Sequence, residues 1–183
     1  QMVHDGLIEH TAFSPVEVTI RDGSALVTAD DFASANEGAL ELVLAPDPTI
    51  YDGRYANNAW LQECPKPVTK LTWDNALMVP ASLVDEAAGG ALAGLQMGDV
   101  VGLTVGTLTI DVPIYVMPGH AEGAVTLHLG YGRQRAGRVG NGTGFNAFAI
   151  RSSTNPWIIP GVSLNRTEQK YELASTQLQR SIE

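Results

Sequence analysis

The residues best placed to do chemistry are arginines, glycines and asparagines gathered in the second half of the chain. Arg133, Arg135, Arg138, Arg151 and Arg166 all fall between Glu122 and Glu168, an interval without a single acidic residue. A guanidinium matches phosphate oxygens in a bidentate fork. Beside these arginines, Gly140-Asn141-Gly142-Thr143-Gly144 allows close backbone approach, so that unpaired N–H groups can face an anion. The segment is a positive island suited to holding a phosphate or to docking on an acidic partner. Its bland alternative is a set of arginines paired with carboxylates from the first half of the chain. The glycine run meets neither the nicotinamide fingerprint nor the P-loop spacing, and no strand feeds straight into it. A second group, Arg54-Tyr55-Ala56-Asn57-Asn58-Ala59-Trp60, combines a cation, aromatics and amides. Such a mixture recognises a heterocycle or a partner chain, unless Trp60 packs in the core and both asparagines serve turn backbone.

Other chemistries find no support in the residue pattern. There is no G-x-S-x-G elbow, and Cys64 sits between Glu63 and Pro65 without a motif, as a small residue near the surface. That lone cysteine rules out an internal disulfide and any all-cysteine metal or iron–sulfur site within this chain. His4, His10, His120 and His128 show no metal-ligand spacing. His120 reads as a turn residue and His128 as one face of a strand. The net charge of −9 argues against nucleic acid as a partner. No apolar run approaches the roughly 20 residues that cross a bilayer, so direct membrane insertion is not expected.

The elements that must position these groups are mostly strands. Nineteen glycines and ten prolines, spread along the chain, favour short strands and turns over a helical bundle. Alternation over Val16–Ile20, a turn at Asp22-Gly23 and Ala25–Val27 predict a hairpin in a lead-in segment, residues 1–38. Strands are predicted at Leu40–Leu44, Ala76–Val79, Val100–Val105, Leu108–Val112, Ile114–Val116 and Ala124–Leu129, with an apolar, β-compatible run at Phe145–Ile150 and an edge strand at Tyr171–Ala174. Pro80 should open a helix over Ser82–Ala88 that Gly89-Gly90 stops. Pro65 and Pro67 argue against regular structure from Leu61 to Thr69, and Gly130 to Gly144 reads as irregular.

Two kinds of string carry a family resemblance. Val79-Pro80, Leu95-Gln96-Met97-Gly98-Asp99-Val100-Val101 and Val116-Met117-Pro118-Gly119 resemble the C-terminal domain of molybdopterin oxidoreductases. Longer strings, Asp52 to Glu63, Pro65 to Ala76, Leu127 to Arg133 and Arg135 to Gly142, are similar to one branch, the large iron–sulfur and molybdopterin-like subunit of bacterial alternative complex III. The resemblance covers roughly residues 40 to 176 and implies a double-psi β-barrel over residues 39–176, mainly β with short helices. It also implies a polar tail, 177–183, leading to a downstream ferredoxin-like part. Both ends then read as cuts in a longer protein.

On this resemblance the domain is a structural, non-catalytic part of a periplasmic, quinol-oxidising respiratory complex. Its partners are the remaining domains of the same polypeptide and other subunits of that complex. No cofactor is expected in this chain, and iron–sulfur clusters belong to other parts of the parent. The alternative is a working domain for molybdopterin guanine dinucleotide in which Arg133, Arg138, Asn141 and Asn146 grip pyrophosphate and guanine, with Asn57, Asn58 and Trp60 on the same side. Asn146 falls where the family has a cofactor-facing asparagine, and Phe148-Ala149 departs from the family's leucine and threonine there.

Overall fold

A computed structural model describes residues 13–19 and 40–176. The chain divides into two compact units, Gln1–Ala33 and Ser34–Glu183. Of the first, residues 13–19 are exposed and carry no strand, so the strand predicted at Val16–Ile20 is absent over 16–19. The rest of that hairpin, and the tail 177–183, lie outside the described residues.

The second unit is mainly β. Its strands are β1 (Leu40–Ala45), β2 (Leu77–Val79), β3 (Asp99–Val105), β4 (Leu108–Val116), β5 (Ala124–His128) and β6 (Ile158–Lys170). They close into a barrel in the order β1-β5-β2-β4-β3-β6. β5 is parallel to β1 and antiparallel to β2, and therefore lies between two strands joined by the first crossover. In the same way β2, parallel to β4, lies between β4 and β5. Exchanging β1, β2 and β3 for β4, β5 and β6 leaves every pairing and its sense unchanged. Two such interlocked crossovers define a double-psi barrel.

Side chains alternate across a strand, so each strand gives the interior every second residue. Leu42 and Leu44, Leu77 and Val79, Val101 and Leu103, Val112 and Ile114, and Val125 and Leu127 fill the core on that period. The Gly98-Asp99 corner stands where the sequence reading puts it. Gly98 takes a positive φ of 89°, its N–H donates to the Ile114 carbonyl at 3.0 Å, and its carbonyl accepts from Tyr171 N at 2.8 Å. A Cβ at Gly98 would sit 2.5 Å from the Tyr171 carbonyl oxygen. Asp99 stays ionised below the usual carboxylate range, held chiefly by the backbone N–H of Gln96.

Several expected elements are revised. Leu108–Val112 and Ile114–Val116 form one strand, since Pro113 falls where β4 passes from pairing with β3 to pairing with β2. The helix expected at Ser82–Ala88 is a 3-10 turn, Ala81–Leu83, followed by turns in which Asp85 accepts from Ala87 N. Phe145–Ile150 is no strand: Asn146 caps a 3-10 turn at Ala147–Ile150. Helix α1 (Ala59–Glu63) enters the stretch thought to be irregular, ending before Pro65. Within Gly130–Gly144 a single helical turn forms, α2 (Gly137–Gly140). Tyr171–Ala174 is a strap over residues 71–74, bonded through Tyr171 Oη to Asp74 at 2.8 Å and through Thr72 N to the Ala174 carbonyl.

Buried Asn75 ties the end of β5 to the segment before the Ala147–Ile150 turn. Its Nδ2 donates to the carbonyls of His128 (2.7 Å) and Phe145 (3.0 Å), and its Oδ1 accepts from Phe145 N (2.8 Å). Replacing it by alanine strands backbone groups that each cost about 1–3 kcal/mol unpaired. Asn75→Ala is expected to lower unfolding free energy by about 2–5 kcal/mol, read from urea denaturation.

Candidate functional site

Two loops meet outside the barrel. Residues 50–63 follow β1, residues 129–146 follow β5, and these strands run parallel, so both loops leave the same end. A small apolar cluster of Ile50, Ala56 and Tyr131, with Leu61 and Ala136 against it, seats them. Gly53 and Gly130 approach so closely that a Cβ on Gly53 would meet the Gly130 carbonyl oxygen at 2.6 Å. Asn57 completes the joint, its Oδ1 accepting from Val139 N of α2 at 3.1 Å.

Between the loops lies a cleft of about 760 Å³ lined by Asp52, Arg54, Gly132, Arg133, Gln134, Arg135, Asn146 and Phe148. Arg54 is clamped by Asp52 (Nε to Oδ1 3.0 Å, Nη2 to Oδ2 2.8 Å) and lies over the Tyr51 ring at 5.0 Å. That clamp holds the Asp52 carboxyl down at about 2. No ion pair among the described residues involves Arg133 or Arg135, so the cleft is electropositive. The carboxylate-paired alternative for the five arginines therefore fails among the described residues. Nor do the five form one patch. Arg151 bonds the Pro156 carbonyl and stacks on Trp157 at 4.3 Å, and Arg166 bonds the Ala93 carbonyl from β6.

Arg133 and Asn146 thus share the cleft, whereas Asn57, Asn58 and Trp60 line a neighbouring hollow of about 480 Å³ with Arg54 and Tyr55. Arg54 is common to both. Arg138 and Asn141 line neither. Trp60 is 85% exposed and not in the core, because α1 turns Gln62 inward, where its Nε2 bonds the Ala56 carbonyl. Asp52, Gln134 and Phe148 were absent from the sequence-based site, and Arg135 figured there only as a member of the positive island. The Asp52/Arg54 spacing, two residues of opposite charge around a glycine, was the signal that marked one of them.

All four asparagines spend their carbonyl oxygens on local backbone. Asn57 serves Val139 N, Asn58 caps α1 at Leu61 N, Asn141 takes Ala136 N, and Asn146 takes Phe148 N. These bonds fix each amide with its NH₂ group turned away from the backbone it caps. In the cleft itself Arg133 and Arg135 are donors, and Gln134 carries both a donor and an acceptor. A pyrophosphate fits such a set. Guanine presents N7 and O6 as acceptors, which arginine donors match, and N–H groups that need acceptors; both Asp52 oxygens in the cleft are held by Arg54. Neither a protein-family model nor a curated protein matches the chain.

Because the Asp52 pKa is depressed in the folded state, the stability it contributes is present above about pH 4 and is lost as pH falls toward 2. In a carbon-detected NMR titration Asp52 is expected to titrate near 2, and Arg54→Ala should return it to the ordinary carboxylate range. An unchanged Asp52 in the variant would refute the clamp.

Proposed function

We propose that this chain is a structural, non-catalytic barrel domain of a larger molybdopterin-oxidoreductase-like protein, serving a quinol-oxidising electron-transfer complex on the periplasmic side of a bacterial inner membrane. A barrel by itself sets no function. The reading rests on the strings from Asp52 to Ala76 and from Leu127 to Gly142, which supply the two loops of the cleft. One observation carries the non-catalytic half of it: the cleft's carboxylate, Asp52, is held on both oxygens by Arg54 and the Asn146 carbonyl oxygen takes Phe148 N, so the cleft holds charge through Arg133 and Arg135 without an uncommitted carboxylate to act as a base. The domain then offers its neighbours a rigid, positively charged rim. Remaining domains of the parent and other subunits of the complex are the partners this rim serves.

A second reading, a working site for molybdopterin guanine dinucleotide, is favoured by unpaired Arg133 and Arg135 in a cleft of ligand size. In that case Arg133, Arg135 and the Asn146 amide would hold the pyrophosphate, and the bound group would supply oxygen-atom or electron-transfer chemistry at its metal.

Elemental analysis of the full-length parent decides between them. The structural reading expects neither molybdenum nor tungsten; either metal near one per chain overturns it. On the domain itself, calorimetry is expected to give guanosine monophosphate and ribose phosphate equal affinities. Arg133→Ala should weaken both about tenfold, the worth of one charge-assisted hydrogen bond. Guanine-dependent tightening would favour the second reading.

A further inference from the structure

A different cavity, sharing no lining residue with the arginine cleft, opens beside the barrel where the loops after β1 and β4 and the segment 66–69 meet β2 and the end of β5. It measures about 310 Å³, at the small end of ligand pockets. Its walls are Pro46, Pro48, Pro67, Met78 and Met117, and exposed Val68 stands at its rim. Methionine sulfur and proline rings make good contacts with an aromatic ring, and the soft thioethers adapt to its shape.

The polar groups are few and arranged. Asp47 is buried, and its Oδ1 accepts from Thr49 N, Thr49 Oγ1 and Ile50 N at 2.8, 2.6 and 3.1 Å. Its Oδ2 has no hydrogen bond and faces two cations or potential cations, Lys66 Nζ at 3.5 Å and His128 Nδ1 at 3.6 Å. Lys66 turns inward, donating to Tyr131 Oη at 2.8 Å. Asp47 and Lys66 therefore cancel each other beneath the cavity, which leaves nothing to attract a charged ligand. His128 is the cavity wall's remaining ionisable group, and burial lowers its pKa, with Lys66 adding to the effect against Asp47. In the neutral ring a proton on Nδ1 faces Asp47, so Nε2, which has no protein partner, is an acceptor.

We propose that this cavity binds a small uncharged molecule with one aromatic ring and one hydroxyl group, the ring against Met78 and Met117 and the hydroxyl donating to His128 Nε2. This inference stands apart from the function proposed above. Neither the composition of the parent nor the arginine cleft bears on it.

The test is NMR of the full chain labelled at its methionine methyls, titrated with para-cresol and with toluene, its isostere without the hydroxyl. Para-cresol is expected to shift Met78 and Met117 saturably and to leave Met97, outside the cavity, unmoved. Toluene should bind about tenfold more weakly, and His128→Phe should erase that preference, as loss of one buried hydrogen bond requires. Met117→Trp, which fills the cavity and leaves Asp47, Lys66 and His128 unsubstituted, should abolish binding of both. Equal binding of the two probes by the unaltered chain, no saturable shift, or binding untouched by Met117→Trp would each overturn the proposal.

Discussion

Closure of the barrel depends on one strand. β6 runs for thirteen residues, pairing with β1 through Ile158–Val162 and with β3 through Ser163–Lys170. Without it β1 and β3 would each present an open row of N–H and C=O groups, the arrangement that invites pairing with other chains. The strand changes neighbour just beyond Pro160-Gly161, and a register shift sits opposite at Leu40/Glu41. Bulges and glycines at such corners let a strand turn from one face of a barrel to the next. Everything that positions the cleft rests on this closure, because β1 and β5 must lie parallel and adjacent to send their loops out together.

From that frame the electrostatics follow. Two loops anchored by a small apolar cluster carry Arg54 and Arg133 into one cleft from positions far apart in the chain. The two positive sites differ in character. Arg54 is neutralised by its neighbour Asp52 and acts as a rigid strut over Tyr51, whereas Arg133 and Arg135 keep their charge for whatever approaches. At the other cavity the pattern is inverted: the charges are deep, mutually cancelling and covered by apolar side chains. One end of the barrel thus offers charge and the other site offers a dry surface.

Much of this was legible in the sequence wherever period-two alternation met a buried face. Leu40–Leu44 and Ala124–Leu129 declare themselves because the barrel interior demands apolar residues at every second place, and Val100–Val105 does so as a β-branched run buried on consecutive residues. β6 hides for the opposite reason. Its outer half, Asn165-Arg166-Thr167-Glu168-Gln169, is polar on both faces, and Pro160-Gly161 reads as a break. Its pairing is set by two partner strands, which no local pattern records. The apolar run Phe145–Ile150 misled in the same manner, since a short buried segment has no period to tell strand from helix; Asn146 as a cap decided it. Arg133 and Asn146 were legible as site residues by type, but their company with Arg54 is a product of folding. Trp60 shows the limit most plainly, as its exposure follows from how Gln62 is held.

The interlocked crossovers also bear on how the domain is made. Each half of the barrel threads a strand between two strands of the other, so neither half can settle into its final pairing ahead of its counterpart. Such non-local topologies assemble slowly. During synthesis the chain must emerge past Lys170 before the ring can shut, and until then the edges of β1 and β3 stand uncovered. A nascent chain of this design spends its vulnerable interval on the ribosome, and holding factors that shield strand edges would raise its yield more than any gain in final stability.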